Sequence, residues 1–128
     1  MLKVFMAEDD SLLVRVYEKI FTSGGYEIVF GIDGDETIKK LKEMEVKPDI
    51  IFLDVMMPQK DGFEVIEEIK KDSKLKEIPI IFLTNIYEPE DEKRGKKLGA
   101  VEYLVKSQYM PTEIVNKVKT LCDKYCVK

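Results

Sequence analysis

Hydrophobic residues in this chain fall into five short runs, and each run is followed by a more polar stretch. The runs are Leu2–Ala7, Tyr26–Phe30, Asp49–Leu53, Ile78–Thr84 and Val101–Val105. Their length and their content of Ile, Val and Phe predict strands that are buried on both faces. Because strands that alternate with helices form a parallel sheet covered by helices on both faces, the pattern predicts an α/β fold.

Four of the intervening stretches show the spacing of amphipathic helices. The first helix ends at Gly24-Gly25, the second ends before Pro48, and Pro111 stands near the first turn of the last helix. The apolar positions, which recur about one turn apart, are Leu12, Leu13, Val16, Tyr17, Ile20 and Phe21; Ile38, Leu41 and Met44; Phe63, Val65, Ile66 and Ile69; and Ile114, Val115, Val118, Leu121, Cys122 and Tyr125.

The stretch from Glu88 to Leu98 predicts a helix of a different kind. It has almost no apolar stripe, and Gly95 stands in its interior, where glycine costs about 1 kcal/mol relative to alanine. We expect this helix to be the least firmly held element. It is either a solvated surface helix or an element that moves in function.

Composition restricts the possible functions. The chain has 128 residues, a net charge of −4 and a pI of about 5.0, which predicts one acidic domain over 1–128, no output domain and no direct nucleic-acid binding. The absence of histidine excludes a Ser-His-Asp triad, a histidine zinc site and a phosphohistidine carrier. No apolar run approaches the ~18 residues of a membrane helix, and acidic residues follow the first strand too soon for a secretory signal. We therefore expect a cytoplasmic protein without membrane partners.

Two cysteines, Cys122 and Cys126, lie four residues apart near the C-terminus. Two ligands cannot complete a structural zinc site, which needs four. The spacing therefore predicts two reduced thiols on the last helix of a cytosolic protein.

Acidic, hydroxyl and amine side chains follow four of the five predicted strands. In an open parallel sheet, ligands bind beyond the carboxyl ends of the strands. Each residue alone has an ordinary explanation, such as a helix cap for Asp10, and that explanation weakens when all of them share one edge. These residues are Glu8, Asp9 and Asp10 after the first strand, Asp54 after the third, Thr84 after the fourth and Lys106 after the fifth.

Carboxylates gathered at one edge need a cation. Asp54 near Glu8 and Asp9 places like charges together, which raises pKa values and destabilises the site. Mg²⁺ fits because it takes oxygen ligands, holds one or two carboxylates and accepts phosphate oxygens. Lys106 supplies a second positive charge, and Thr84 can donate one hydrogen bond. The set fits phosphoryl transfer onto an aspartate, since carboxylates are known phosphoryl acceptors.

At these positions the sequence resembles the receiver domain of two-component response regulators, of the single-domain chemotaxis-regulator type, over essentially the whole chain. Four separated motifs at family-like spacing make the resemblance highly specific. The resemblance implies a flavodoxin-like, doubly wound (βα)5 fold with a five-stranded parallel sheet in the order 2-1-3-4-5. The motifs are the acidic pair Glu8-Asp9, the segment DVMMPQKDG from Asp54 to Gly62, Thr84, and the segment YLVK from Tyr103 to Lys106.

The resemblance also implies a phosphoacceptor site that depends on Mg²⁺. Asp54 is expected to accept the phosphoryl group. Glu8, Asp9, Asp54 and the backbone carbonyl of Met56 are expected to hold Mg²⁺, directly or through water. The donor is expected to be a phosphohistidine on a sensor histidine kinase or on a histidine phosphotransfer protein. A domain of this kind is no general enzyme and catalyses only its own phosphorylation and dephosphorylation.

The response implied by the resemblance is a shift between two conformations that phosphorylation biases. Lys106 is expected to contact Asp54 and then the phosphoryl group, and Thr84 to move and hydrogen-bond that group. Tyr103 is expected to swing inward into the space that Thr84 leaves. The family's readout surface, for a downstream protein that the sequence does not name, is helix 4, strand 5 and helix 5.

Helix 4, on that surface, carries four basic residues in a net-acidic protein. They form either a solvated face or a basic patch that selects an acidic partner by electrostatic steering. The four residues are Lys93, Arg94, Lys96 and Lys97.

Three residues at the edge of the expected site are candidates for setting reaction rates. Met56 and Ile86, two places after the acceptor and after Thr84, flank the path of attacking water by family analogy. Neither side chain can orient a water molecule, so we predict a slowly hydrolysing phosphoryl-aspartate. Asn85 stands where the family usually has a small residue, and it either crowds the approach to the acceptor or points along the rim.

Ser107 departs from the family pattern, which has a proline after a cis peptide bond at this position. A cis bond without proline costs about 2.5–4 kcal/mol. A cis bond between Lys106 and Ser107 is therefore not assumed.

Three other functions fit parts of the pattern. A Mg²⁺-dependent phosphohydrolase that forms an aspartyl-phosphate typically has a second aspartate at the position of Met56, which cannot transfer a proton. A flavodoxin-like binding module needs a Ser/Thr/Gly-rich phosphate loop where this chain has Glu8-Asp9-Asp10. A receiver that acts without phosphorylation lacks one of the acids, the threonine or the lysine, and none of these is missing here.

Overall fold

The chain forms one five-stranded sheet in which all neighbouring strands are parallel, in the order β2-β1-β3-β4-β5. This computed structural model describes residues 2–126, so positions 1, 127 and 128 of the predicted domain lie outside the described residues. Both the predicted α/β class and the implied strand order are confirmed. The strands are β1 (Lys3–Ala7), β2 (Glu27–Gly31), β3 (Ile50–Leu53), β4 (Ile80–Thr84) and β5 (Glu102–Val105).

Five helices follow the strands. They are α1 (Ser11–Ser23), α2 (Gly34–Glu43), α3 (Gly62–Lys71), α4 (Pro89–Leu98) and α5 (Pro111–Tyr125), and a 3₁₀ turn covers Lys106–Gln108. The side chain of Asp10 caps α1 by accepting hydrogen bonds from the N–H groups of Leu12 and Leu13, and Asp61 and Glu64 form a capping box at α3. Among the helices of residues 2–126, none combines the length and the apolar character needed to cross a membrane.

Two apolar layers cover the sheet, because neighbouring residues of a strand point to opposite faces. On β1, Phe5 packs into the layer of α2 and α3, whereas Val4 and Met6 pack into the layer of α1 and α5. All three are buried. The two layers fix the strands side by side, and the carboxyl ends of β1, β3, β4 and β5 meet at one edge.

Helix α4 lacks an apolar stripe, as the sequence predicts. It packs on the sheet through a glycine. Gly95 is the only buried residue of this fully described helix, and a Cβ atom there would lie 2.9 Å from ring carbons of Phe82 on β4. The guanidinium of Arg94 lies 4.2 Å from the centre of the Phe63 ring on α3, which is a cation–π contact. Close packing against Phe82 therefore explains why a glycine stands at position 95, and the sequence does not reveal this contact.

The prediction of two reduced thiols is wrong, because Cys122 and Cys126 form a disulfide. Helix α5 ends at Tyr125, and Cys126 has an extended backbone with φ −70° and ψ 142°. The two cysteine Cα atoms lie 4.7 Å from each other. Residues four apart inside a regular helix have Cβ atoms about 5–6 Å apart, whereas a disulfide needs roughly 3.5–4.5 Å. The bond thus depends on a closer approach of the two residues than a regular helix gives, which the spacing alone does not show.

Candidate functional site

The carboxyl ends of β1, β3, β4 and β5 open into a cavity of about 440 Å³. Every residue that the sequence assigned to catalysis or metal binding lines this cavity, whereas Tyr103 lies outside the lining. Leu13 also lines it, although its helical spacing indicated only a core position. The lining residues are Glu8, Asp9, Asp10, Leu13, Asp54, Met56, Thr84, Asn85, Ile86 and Lys106.

Three carboxylates meet in the cavity. One oxygen each of Glu8, Asp9 and Asp54 lies within 4.8 Å of the other two. Glu8 and Asp54 are buried, with 1% and 6% of their surface exposed, and Asp9 is exposed. A set of hard oxygen ligands that includes two buried carboxylates fits Mg²⁺.

Lys106 joins two of the carboxylates. Its Nζ donates to Oδ2 of Asp54 at 2.7 Å and also donates to Oε1 of Glu8. Burial raises the pKa of Glu8, although Lys106 acts in the opposite direction. Burial also disfavours the charge on Lys106, but its hydrogen bonds to Asp54 and Glu8 outweigh burial and raise its pKa. Every peptide bond among residues 2–126 is trans, including the bond between Lys106 and Ser107.

Backbone groups hold the two buried carboxylates in place. The N–H of Met56 donates to Oδ1 of Asp54 at 3.2 Å, and the N–H of Asp10 donates to Oε2 of Glu8 at 3.1 Å. Gly62 lets the start of α3 approach the acceptor, since a Cβ atom on Gly62 would lie 2.4 Å from the carbonyl oxygen of Asp54. The glycine that ends the DVMMPQKDG motif therefore permits the tight turn that carries Asp54.

The backbone of Ile86 links the two residues that the family resemblance assigned to the conformational switch. Its N–H donates to Oγ1 of Thr84 at 3.3 Å, and its carbonyl oxygen accepts from the Tyr103 hydroxyl at 2.8 Å. Thr84 and Tyr103 are both buried. Burial, and after it the carboxylates of Asp91 and Glu92 on α4, raise the pKa of Tyr103 to about 12. The sequence does not indicate this role of Ile86, because a backbone contact has no signal in residue type.

The three rate-tuning candidates lie at the opening of the cavity. The side chain of Met56 is 63% exposed, Asn85 is exposed and Ile86 is half-buried. Their positions are compatible with an effect on molecules that enter the cavity, and their roles stay predictions.

A family model described as "Response regulator receiver domain" matches residues 4–119. The chain belongs to this family. The receiver therefore belongs to two-component signalling systems. Receiver domains receive phosphoryl groups from histidine kinases and generally bind Mg²⁺ at an acidic pocket.

The receiver is similar to longer regulators. It is 36% identical over 121 residues to a "Probable transcriptional regulator ycf27" of Cyanophora paradoxa, covering 93% of this chain and 47% of that protein. It is 34% identical over 119 residues to "Alkaline phosphatase synthesis transcriptional regulatory protein PhoP" of Bacillus subtilis (strain 168), covering 93% of this chain and 48% of that protein. The chain thus spans about half the length of these curated relatives.

Solved structures agree with the fold of this receiver. Chemotaxis response regulator CheY4 of Vibrio cholerae superposes with a TM-score of 0.83 at 31% identity, covering 95% of this chain and 98% of that chain. The Mn(2+)-bound form of response regulator Rcp1 superposes with a TM-score of 0.81 at 26% identity, covering 94% and 93%. These matches confirm the flavodoxin-like fold.

Proposed function

We propose that Asp54 accepts a phosphoryl group from a phosphohistidine of a partner protein, in a reaction that depends on Mg²⁺. One observation carries the proposal: Asp54 is a buried carboxylate that contacts Lys106 and lies beside Glu8 and Asp9. The donor is a sensor histidine kinase or a histidine phosphotransfer protein, and the phosphohistidine belongs to that partner because this chain has no histidine.

The proposed transfer forms one bond and breaks one. A carboxylate oxygen of Asp54 attacks the phosphorus, and the P–N bond breaks with its electron pair remaining on the donor imidazole. The ammonium of Lys106 and a hydrogen bond from Thr84 offset the negative charge of the phosphoryl oxygens. Water later attacks the phosphorus, which restores Asp54 and releases inorganic phosphate. The receiver thus catalyses only its own phosphorylation and dephosphorylation.

The residues present fit a divalent cation. Glu8, Asp9, Asp54 and the backbone carbonyl of Met56 are the groups that would hold Mg²⁺. Three carboxylates against one ammonium group leave net negative charge in the cavity. Mg²⁺, when bound, offsets the charge of the carboxylates and of the phosphoryl oxygens.

We propose that the signal leaves through the face formed by α4, β5 and α5. When the Thr84 hydroxyl donates a hydrogen bond to a phosphoryl oxygen, Thr84 moves away from the N–H of Ile86, to which it is now hydrogen-bonded. The carbonyl oxygen of the same Ile86 accepts a hydrogen bond from the Tyr103 hydroxyl. Ile86 therefore connects the acceptor site to Tyr103 on β5, whose ring lies beside Gly95 of α4. In this structure Tyr103 lies inward, with 8% of its surface exposed.

Two of the four basic residues on α4 form ion pairs with acidic residues of the same helix. Nζ of Lys93 lies 4.0 Å from a carboxylate oxygen of Glu90, and Nζ of Lys96 lies 3.4 Å from one of Glu92. We propose that the basic patch still favours an acidic downstream protein, with a smaller electrostatic effect than unpaired lysines would give.

We propose that the receiver acts in the cytoplasm on a downstream protein and binds neither membranes nor nucleic acid directly. That 1–128 forms a single receiver domain stays a prediction.

Phosphorylation by a small donor tests the proposal. Wild type with acetyl phosphate and Mg²⁺ is expected to gain one phosphoryl group by intact-protein mass spectrometry, and EDTA is expected to prevent this. Asp54→Asn, which keeps the side-chain volume, is expected to gain none. The matched control is Asp123→Asn, the same change at an exposed position of α5, which is expected to behave as wild type. Equal phosphorylation of Asp54→Asn and wild type would contradict the proposal.

A further inference from the structure

The loop between β3 and α3, residues 54–61, is held against the first turn of helix α2. The N–H of Gly34, the first residue of α2, donates to the carbonyl oxygen of Pro58 at 3.2 Å. This bond satisfies one of the N–H groups that the start of a helix leaves unpaired. We propose that Gly34 is a positioning residue of the Mg²⁺ site, because it fixes the loop that carries the carbonyl oxygen of Met56. This role rests on the proposed function, in which that oxygen is a metal ligand.

A side chain at position 34 does not fit against this loop. A Cβ atom on Gly34 would lie 2.3 Å from the carbonyl oxygen of Lys60 and 2.5 Å from the Cβ of Lys60. The blocking atoms belong to the chain close to the backbone, so a flexible side-chain end cannot move aside to make room. The carbonyl oxygen of Pro58 also accepts the N–H of Lys60 at 2.9 Å. A shift of Lys60 therefore moves Pro58 as well, and Pro58 is two positions from Met56.

The loop takes up such a shift internally, because its ends are tied together. The N–H of Gly62 donates to the carbonyl oxygen of Val55 at 2.9 Å. Within the loop, Gln59 has φ 72°, a left-handed conformation that is uncommon for residues other than glycine. Met56 and Gln59 are exposed, so packing in the core does not hold their side chains. The position of the Met56 carbonyl thus depends on the contact between the loop and α2.

Mg²⁺ responds to a displaced ligand more strongly than Ca²⁺ does. Mg²⁺ requires nearly ideal octahedral geometry with ligands at about 2.0–2.1 Å, whereas Ca²⁺ accepts flexible geometry at about 2.3–2.6 Å. Replacing a group that orients a metal ligand typically lowers metal affinity by about 10–100-fold. The ratio of Mg²⁺ affinity to Ca²⁺ affinity therefore reports the position of the Met56 carbonyl, and a general loss of stability leaves that ratio unchanged.

NMR titrations of the full chain with magnesium chloride and with calcium chloride test the proposal. Gly34→Ala is expected to weaken Mg²⁺ binding by about tenfold and Ca²⁺ binding by less than about threefold. The matched control is Gly99→Ala, at the C-terminal end of α4 and before β5. This change also strains the fold, because Gly99 has φ 118°. It is expected to keep the wild-type ratio of the two affinities.

Amide hydrogen exchange in wild type tests the same link without a substitution. Saturating Mg²⁺ is expected to slow exchange of the Gly34 N–H more than that of the Gly99 N–H, because the bound ion steadies the loop that accepts the Gly34 hydrogen bond. The Gly99 N–H donates to the carbonyl oxygen of Lys96 at 3.1 Å, so both glycines are compared as hydrogen-bonded amides.

Two results would overturn the proposal. A wild-type affinity ratio in folded Gly34→Ala shows that this glycine does not position a metal ligand. Equal slowing of the two glycine amides in wild type shows that metal binding does not reach α2 through the loop, and this result stands even where Gly34→Ala does not fold. Wild type still binds Mg²⁺ and gains a phosphoryl group at Asp54 in both cases, whereas a wild type that binds no Mg²⁺ overturns the proposed function as well.

Discussion

Nζ of Lys106 lies 2.7 Å from Oδ2 of Asp54, although 52 positions separate them in the chain and strand β4 lies between their strands. Both side chains are 9% exposed. The contact places one fixed positive charge beside the proposed acceptor. Lys106 also binds Glu8, so one ammonium group serves two buried carboxylates.

Replacement of Lys106 by Met keeps much of the side-chain volume and removes this charge. Breaking a buried ion pair from one side costs about 3–5 kcal/mol, so we expect the free energy of unfolding to fall by about 3 kcal/mol without Mg²⁺. Urea denaturation measures the loss. Added Mg²⁺ is expected to recover part of it, because the ion supplies positive charge to the same carboxylates.

Lys97→Met is the matched control for this change, since Lys97 is exposed on α4. Surface substitutions of this kind usually change stability by no more than about 0.5 kcal/mol. If the two variants lose the same stability, Lys106 does not balance the charge of the cavity.

Gly95→Ala distinguishes helix propensity from packing. Propensity alone favours alanine by about 1 kcal/mol. The new Cβ, however, would lie 2.9 Å from the Phe82 ring, and inserting an atom into a close-packed contact typically costs about 1–3 kcal/mol. We expect a net loss of about 1 kcal/mol in the free energy of unfolding, measured in urea, with Lys97→Ala as the exposed control on the same helix. A more stable Gly95→Ala would show that α4 can move off the sheet to admit the methyl group.

The high pKa of Tyr103 predicts a pH dependence of stability. Burial, Asp91 and Glu92 raise this pKa from 10.0 to about 12, so the folded state holds the phenolic proton more tightly than the unfolded state. The resulting contribution to stability is complete below pH 10 and is lost as the pH rises towards 12.

Tyr103→Phe tests this assignment. The variant is expected to lose less stability than wild type between pH 10 and 12 in urea denaturation, because it has no phenol to titrate. The phenolate absorbance titration is expected to lose its component near pH 12. Tyr87→Phe, at an exposed tyrosine, is expected to leave that component in place, and its loss in Tyr87→Phe would refute the assignment.

The apolar side chains at the cavity opening predict a long-lived phosphoryl-aspartate. Ile86→Glu and Met56→Asn each introduce a group that can orient water, and we expect each to shorten the lifetime by about tenfold, a barrier change of about 1.4 kcal/mol. The decay of the phosphorylated protein, followed by mass spectrometry after removal of the donor, gives the lifetime. Ile86→Leu remains apolar and is expected to behave as wild type. Unchanged lifetimes in both polar variants would exclude apolar control of hydrolysis.

The sequence contains enough information to predict the elements and the edge that holds the site. Buried strands give uninterrupted apolar runs such as Ile80–Leu83, and the chemically active residues stand at or just after strand ends, as Asp54 follows β3. The parallel arrangement then brings the carboxyl ends of β1, β3, β4 and β5 to one edge without further information. The family resemblance, carried by separated motifs, supplied the strand order.

Tertiary structure decided the features that depend on distances between elements. The sequence indicates a weak point of α4 at Gly95, whereas the structure shows the Phe82 ring packed against it. The sequence indicates two reduced thiols at Cys122 and Cys126, whereas the structure joins them in a disulfide. The link from Thr84 to Tyr103 passes through backbone atoms of Ile86, which are the same in every residue type. Local spacing thus determined which segments fold and which side chains face the cavity, whereas close approach between segments determined how they are held, because packing and hydrogen bonding act over only a few ångströms.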